Sequence, residues 1–129
     1  MRIIGTGVDI VSIKRIAKVH TRYPETFNKR ILSEPERCEF VSRRDKPAFL
    51  AKRFAAKEAV AKAFGTGMGR GLCFTDITID HDPLGRPLVQ FTSDRVMDHD
   101  VTDLEIHISI SDEQEYAVAS VIVVGGASS

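Results

Sequence analysis

The sequence has no tryptophan and only two cysteines, Cys38 and Cys73. They have neither the short spacing of a thiolate metal site nor the partner pattern of a disulfide framework. We therefore expect two reduced thiols without a functional role, as in a cytoplasmic protein. Long apolar runs are also missing, and the N-terminus lacks the pattern of a signal peptide, so we expect no membrane partner.

Net charge is absent too, because 18 Lys and Arg balance 18 Asp and Glu in 129 residues. The composition, 43% hydrophobic and 28% charged, is typical of one globular domain, which we assign to residues 1–124, with a flexible tail at 125–129.

The charges are unevenly distributed along the chain. Acidic residues dominate positions 94–115, which fits either a functional asymmetry or loops that merely aid solubility. Residues 10–33 are basic, with Lys14, Arg15, Lys18, Arg22, Lys29 and Arg30 against Glu25. This basic stretch indicates a face for an anionic partner. Zero net charge and the lack of a recognised motif argue against nucleic acid.

The order of apolar patterns predicts a single α+β domain, in which an N-terminal strand and helices pack on a mainly antiparallel sheet. The predicted helices begin near Ile13, at Pro24, at Ser33 and at Pro47, and the last ends at Gly65. The predicted strands are 3–10, 74–80, 87–92, 104–111 and 116–124, with a short helix near 94–98. Strict alternation at 104–111 indicates one buried face, and the apolar run at 116–124 indicates a central strand.

The helix that ends at Gly65 has one carboxylate in a field of cations. Between Lys46 and Lys62 there are five Lys or Arg and a single acid, Glu58, which Lys57 precedes. A carboxylate flanked by Lys57 and Lys62 is what a site needs to hold a hard divalent cation beside a phosphate, so we expect both lysines to border such a site. A solvated helix with an i,i+4 pair of Glu58 and Lys62 is the ordinary alternative, and the helix alone does not exclude it.

A second carboxylate, Asp9, ends the first strand after Gly5 and Gly7. Glycines within a strand favour close approach of other atoms, and we expect a ligand to approach there. Read alone, Asp9 is more simply explained as a turn or helix cap. Together with Glu58 it could hold Mg²⁺, with water and phosphate oxygens as the remaining ligands.

Two further features have weaker patterns. Gly65 to Gly71 contains four glycines that follow a helix, so it lacks the order of a P-loop. Its N–H groups could approach phosphate, although a mobile loop is the simpler interpretation. His107 lies on the polar face of its strand with Ser109 and Ser111, which suits either a phosphate or ribose contact or a solvated histidine.

Taken together, these motifs resemble the small bacterial holo-acyl-carrier-protein synthases, a family of 4′-phosphopantetheinyl transferases. The matching segments are residues 5–11, 15–16, 54–59, 62–67, 85–87, 107–111 and 116–119, in family order over nearly the whole chain. The chain departs from many relatives at Asp112, where they have histidine, and at Thr6 between the two glycines.

The resemblance implies the 4′-phosphopantetheinyl transferase fold. It implies transfer of 4′-phosphopantetheine from coenzyme A to a serine of an apo acyl carrier protein, with adenosine 3′,5′-bisphosphate as the other product. It also implies Mg²⁺ held by Asp9 and Glu58, and a homotrimer with coenzyme A between subunits. The implied coenzyme A contacts are Arg53, Lys62, Gly65, Gly85, Arg86, Pro87 and His107.

We therefore expect Asp9, Glu58 and Lys62 to be the catalytic residues, with Lys62 facing the pyrophosphate and stabilising the leaving group. The general base stays open between Glu58, Asp9 and a water molecule. The basic residues Arg15, Lys18 and Arg22 would dock the acidic carrier protein. Two other classes remain as alternatives: a non-catalytic module that binds coenzyme A and carrier protein, and a metal-dependent phosphoester hydrolase.

Overall fold

The computed structural model describes residues 1–126, which form an α+β domain of four α-helices, a three-stranded sheet and two small strand pairs. This confirms the predicted class. The helices are α1 (Ile13–Arg22), α2 (Pro24–Ile31), α3 (Glu34–Ser42) and α4 (Lys46–Ala63). The strands are β1 (Arg2–Ser12), β2 (Ile77–His81), β3 (Pro87–Phe91), β4 (Arg95–Val96), β5 (His99–Asp100), β6 (Glu105–Asp112) and β7 (Tyr116–Gly125).

The helix ends follow from local capping. The Ser12 hydroxyl accepts a hydrogen bond from the Arg15 N–H at 3.2 Å and starts α1, and Ser33 and Glu36 form the predicted capping box of α3. Asp45 caps α4, and Gly65, with φ of +88°, follows its last turn in the left-handed conformation. All four predicted helices are therefore present.

Two predicted elements contain a different type of structure from the one expected. The strand expected from position 74 begins with a 3₁₀ turn at Phe74–Asp76, so β2 starts only at Ile77. The short helix expected near 94–98 is wrong, because these residues belong to the β4–β5 hairpin. Met97 in its turn has φ of +55°, and Val96 beside it is buried in the core.

The C-terminal end is more regular than the sequence indicated. Strand β7 continues one residue past its predicted end, because Gly125 pairs with Arg2 of β1 and is buried. Of the predicted tail at 125–129, residues 127–129 lie outside the described residues.

The three-stranded sheet has the order β1-β7-β6, all antiparallel, so β7 is central as predicted. Its inner face packs on α4. On this face Ala119 of β7 is paired with Asp9 of β1 on one side and with Ile110 of β6 on the other. The opposite face, which we call the outer face, is uncovered in this chain. It exposes Val8 (58%), Ile10 (65%), Ile122 (41%) and Tyr116 (48%), together with His107 of β6.

Gly5 and Gly7 are covered by α4. A Cβ atom at Gly5 would lie 1.8 Å from the Ala63 carbonyl oxygen, and one at Gly7 would lie 2.0 Å from that of Ala59. The expectation that a ligand approaches these glycines is therefore wrong. Their hydrogen side chains let β1 lie directly on the helix backbone, and this contact sets the position of Asp9.

The core has two parts. The larger lies between α4 and the inner face, and the smaller joins α1 and α2 to the first turns of α4. Across residues 1–126, each helix is too short or too polar to serve as a bilayer-crossing segment.

Candidate functional site

Asp9 and Glu58 line one cleft of about 550 Å³, which we call the carboxylate cleft. Asp9 comes from β1, and Glu58 comes from the middle of α4. Phe27 and Phe54 form apolar walls, and Arg15 of α1 lies at the same cleft. The structure thus brings together the two carboxylates that the sequence placed 49 positions apart.

The surroundings of Glu58 disfavour its charged form. Burial raises the pKa of the Glu58 carboxyl, the negative charge of Asp9 raises it further, and the ammonium of Lys62 opposes the rise. A divalent cation between the carboxylates would relieve this repulsion, and carboxylate oxygens are its preferred ligands. Asp9 and Glu58 therefore fit a Mg²⁺ ion, with the remaining positions left to water and phosphate.

Lys62 reaches across to β1. Its ammonium donates to Asp9 Oδ1 at 2.9 Å and to the Val8 carbonyl oxygen at 2.9 Å. The lysine is half-exposed, whereas the Asp9 side chain is largely covered. The ordinary alternative was a surface pair of Glu58 and Lys62 on α4. The structure instead pairs Lys62 with Asp9, a contact that joins α4 to β1 at the carboxylate cleft.

Lys57 does not contribute to the cation field around Glu58. It is fully buried, and its ammonium donates to the Ile31 carbonyl at 2.7 Å, to Glu36 Oε1 at 2.5 Å and to the Phe74 carbonyl at 3.0 Å. Expecting Lys57 to flank the site was wrong, because the helix turns its side chain away from Glu58. Lys57 instead connects α4 to the last residue of α2, to the first turn of α3 and to the turn before β2.

Arg53 is buried in the same charged junction and also borders a second cleft. Its guanidinium lies 3.3 Å from Glu36 Oε2 and donates to Glu39 Oε1 at 3.2 Å. The second cleft, of about 160 Å³, we call the cationic cleft. It is lined by Arg43, Phe49, Lys52, Arg53, His81, Gly85, Pro87, Ile110 and Asp112.

The cationic cleft gathers three of the predicted coenzyme A contacts, Arg53, Gly85 and Pro87. Arg86, between the last two, is exposed in the turn, where its N–H donates to Asp82. The sequence reasoning missed His81, which no motif marked. It also missed Arg43 and Lys52, of which only Lys52 lies in the cation-rich stretch between Lys46 and Lys62.

The two clefts lie on opposite sides of α4 and at opposite edges of the sheet. Asp9 belongs to the edge strand β1 and Ile110 to the other edge strand β6, with β7 between them. His107 lies on neither side, because it projects from the outer face, 3.3 Å from Glu105. One chain therefore does not gather all the predicted contacts at one place.

The glycine-rich segment uses its N–H groups internally. Each of these N–H groups donates to a backbone carbonyl oxygen: Gly65 to that of Lys62, Gly67 to that of Ala61 and Gly69 to that of Leu72. These three groups are not available to phosphate in this conformation. Gly65 itself is exposed at the end of α4, one turn from Lys62.

The solvent-exposed face of α1 carries the predicted docking residues. Arg15, Lys18 and Arg22 are all exposed, and Val19 and Tyr23 are large apolar side chains exposed beside them. Because Arg15 also lines the carboxylate cleft, this basic face adjoins Asp9 and Glu58.

Comparison with known proteins assigns the family. The model of the 4′-phosphopantetheinyl transferase superfamily matches residues 5–121. The holo-[acyl-carrier-protein] synthase of Vibrio cholerae serotype O1 is 46% identical over 122 residues, which are 94% of this chain and 97% of that protein. The crystal structure of the Bacillus anthracis holo-(acyl-carrier-protein) synthase in complex with CoA (3′,5′-ADP) has a TM-score of 0.83 at 35% identity, covering 98% of this chain and 100% of that one. The Helicobacter pylori synthase in complex with coenzyme A has a TM-score of 0.79 at 34% identity, covering 92% and 99%. The chain belongs to the 4′-phosphopantetheinyl transferase superfamily and, within it, to the holo-[acyl-carrier-protein] synthases.

Proposed function

We propose that this chain is a cytoplasmic enzyme that transfers 4′-phosphopantetheine from coenzyme A to a serine of an apo acyl carrier protein. Adenosine 3′,5′-bisphosphate is the second product, and Mg²⁺ is held by Asp9 and Glu58. The observation that carries this proposal is the carboxylate cleft itself. Two carboxylates from separate elements meet beside a lysine and a basic helix face, in a chain of this family.

The residues of the carboxylate cleft have separable roles. When bound, Mg²⁺ supplies positive charge that neutralises the pyrophosphate and favours in-line displacement. Asp9 and Glu58 orient that charge, and Lys62, already at the edge of the cleft, can turn its ammonium to a phosphate oxygen on which charge develops. The nucleophilic hydroxyl belongs to the carrier protein, so the chain itself needs no activated serine or cysteine.

The carrier protein docks on the solvent-exposed face of α1. Arg15, Lys18 and Arg22 offer positive charge to an acidic partner, and Val19 and Tyr23 offer apolar area to bury. The same face adjoins the carboxylate cleft through Arg15, so a docked carrier would place its serine near the pyrophosphate.

The complete site draws on more than one subunit of a homotrimer. The carboxylate cleft and the cationic cleft lie on opposite sides of α4, and His107 lies on the outer face. Coenzyme A would have to reach around α4 and the sheet to touch all three places within one chain. The exposed apolar residues of the outer face supply an area that a second subunit can cover.

The test is to incubate the protein with coenzyme A, Mg²⁺ and an apo carrier protein, and to weigh the carrier by mass spectrometry. The proposal predicts a gain of one phosphopantetheine. Free phosphopantetheine without a modified carrier would instead indicate a hydrolase, and no reaction would indicate a binding module. Asp9→Asn and Glu58→Gln should abolish transfer while the thermal unfolding midpoint stays near that of the wild type. A wild-type transfer rate in either variant would refute the role of the carboxylate that it replaces.

A further inference from the structure

One of the two carboxylates that fit Mg²⁺ already has a cation of the protein itself as its partner. The ammonium of Lys62 lies 2.9 Å from Asp9 Oδ1 and donates to the Val8 carbonyl oxygen at the same distance. Strand β1 is an edge strand, so this carbonyl group can point away from β7 and accept the bond. The lysine is therefore held at Asp9 by an ion pair and by a neutral backbone group.

Glu58, the other carboxylate, has no such partner. Among residues 1–126 its side chain forms neither a hydrogen bond nor an ion pair, although Lys62 lies one turn further along α4. The Lys62 side chain is 48% exposed, whereas that of Asp9 is 16% exposed. The ammonium can therefore move to a ligand, while the carboxylate of Asp9 stays in place.

A divalent cation and this ammonium would compete for the same oxygen atom. Mg²⁺ binds carboxylate oxygens at about 2.1 Å, so an ion on Asp9 Oδ1 would lie at most about 5 Å from the Lys62 nitrogen. The two positive charges would repel each other, and Arg15 at the same cleft adds to the excess. A pyrophosphate supplies the negative charge that balances both the ion and the lysine.

We propose that Lys62 is a specificity residue for the metal, because its ammonium disfavours Mg²⁺ at Asp9 until a pyrophosphate enters the carboxylate cleft. The pyrophosphate attracts the ammonium away from Asp9, and the released oxygen becomes available to the ion. The cleft then accepts the metal complex of coenzyme A and binds the metal alone only weakly. This inference rests on the proposed function, because the pyrophosphate is that of coenzyme A.

The two ligands must then be coupled in binding. If coenzyme A raises the affinity for the metal by some factor, the metal raises the affinity for coenzyme A by the same factor. Movement of Lys62 contributes to this factor in the wild type, whereas Lys62→Met retains only the direct ligation of the metal by phosphate. We expect Lys62→Met to bind the metal alone at least about tenfold more tightly than the wild type, and its coupling factor to be smaller by a similar ratio.

The experiment is titration of the full-length protein with Mn²⁺, monitored by electron paramagnetic resonance, in which the signal of the hydrated ion is lost on binding. Mn²⁺ prefers the same oxygen ligands as Mg²⁺. Each protein is titrated without coenzyme A and with a saturating amount of it, and the Mn²⁺ bound by coenzyme A alone is subtracted. We expect the wild type to bind Mn²⁺ weakly without coenzyme A and tightly with it.

Arg15→Met is the matched control. It removes a positive charge from the same cleft but leaves the ammonium of Lys62 on Asp9. Because Arg15 is exposed and its charge is screened, the affinity for Mn²⁺ without coenzyme A should change by less than about threefold. Lys62→Gln, which is equally neutral, repeats the test of Lys62→Met, and circular dichroism reports whether each variant is folded.

Equal Mn²⁺ affinities of the wild type and both Lys62 variants without coenzyme A would overturn the inference. An equal gain in Arg15→Met would also overturn it, because general charge would then explain the effect. The carrier-modification assay on the wild type separates this inference from the proposed function. If the wild type modifies the carrier and Mn²⁺ affinity does not depend on Lys62, only the role of Lys62 fails. If the wild type neither modifies the carrier nor binds Mn²⁺ with coenzyme A, the proposed function fails and this inference with it.

Discussion

Replacing Gly7 by alanine tests the contact that positions Asp9. The new Cβ atom would lie 2.0 Å from the Ala59 carbonyl oxygen and 2.8 Å from the Ala63 backbone nitrogen. Ordinary van der Waals contact needs about 3.5 Å, so β1 and α4 would have to separate by more than about 1 Å. Both obstacles are backbone atoms of a buried helix, so no side-chain rotation can relieve the overlap.

We expect Gly7→Ala to destabilise the fold by about 3 kcal/mol, at the upper end of overpacking costs, because the obstacle cannot move alone. With a urea m-value near 2 kcal/mol/M, the unfolding midpoint should fall by about 1.5 M. Transfer should slow more than tenfold even where the variant is fully folded, because Asp9 follows two residues later on the displaced strand.

Gly69→Ala is the matched control. Gly69 has φ of +89°, and a Cβ atom there would have open space around it, so the cost is backbone strain alone, about 1 kcal/mol. Urea unfolding of both variants is monitored by circular dichroism. The two losses in free energy of unfolding compare the cost of the overlap at Gly7 with the cost of backbone strain at Gly69. If Gly7→Ala stays within 1 kcal/mol of the wild type, or is less destabilising than Gly69→Ala, our account of β1 packing on α4 is refuted.

Three further predictions concern other parts of the molecule. Lys57→Met should lower the free energy of unfolding by about 3 kcal/mol or more in urea titrations, because Glu36 loses a partner in a fully buried setting; a change below 1 kcal/mol would contradict this account of the junction. Arg22→Glu should raise the KM for carrier protein roughly fivefold or more and leave that for coenzyme A unchanged. Equal KM values for both proteins would place docking elsewhere. If the proposed homotrimer forms through the outer face, Ile10→Lys should lower the sedimentation coefficient to that of a monomer, since Ile10 lies on this face with 65% of its surface exposed; a trimer that persists in the variant would mean that subunits meet on another surface.

Local sequence signals predicted the elements well. The capping residues Ser12 and Ser33 and the left-handed Gly65 mark helix ends in the sequence as they do in the structure. The alternation in β6 correctly indicated which face is buried. These features succeed because each depends on backbone geometry within a few residues. The 94–98 segment failed because its turn depends on Met97 packing beneath the glycine-rich segment, a contact distant in sequence.

The candidate site could be predicted in part. Asp9 and Glu58 could be named from their motifs, but their meeting depends on how β1 lies on α4. Lys57 was misplaced because sequence proximity to Glu58 says nothing about direction around the helix. The place of His81 in the cationic cleft could not be predicted, because only the fold brings cations of α4 and Arg43 to the end of β2.

The buried junction of Lys57 and Glu36 has a consequence for heating. The cost of removing charged groups from water falls as the temperature rises, whereas hydrophobic stabilisation per unit area reaches a plateau. The ammonium of Lys57 links α2, α3, α4 and the turn before β2, so on heating the junction should gain strength relative to the apolar core around it. Thermal opening should therefore begin elsewhere, in parts joined only by apolar contacts, such as the packing of α1 on α4.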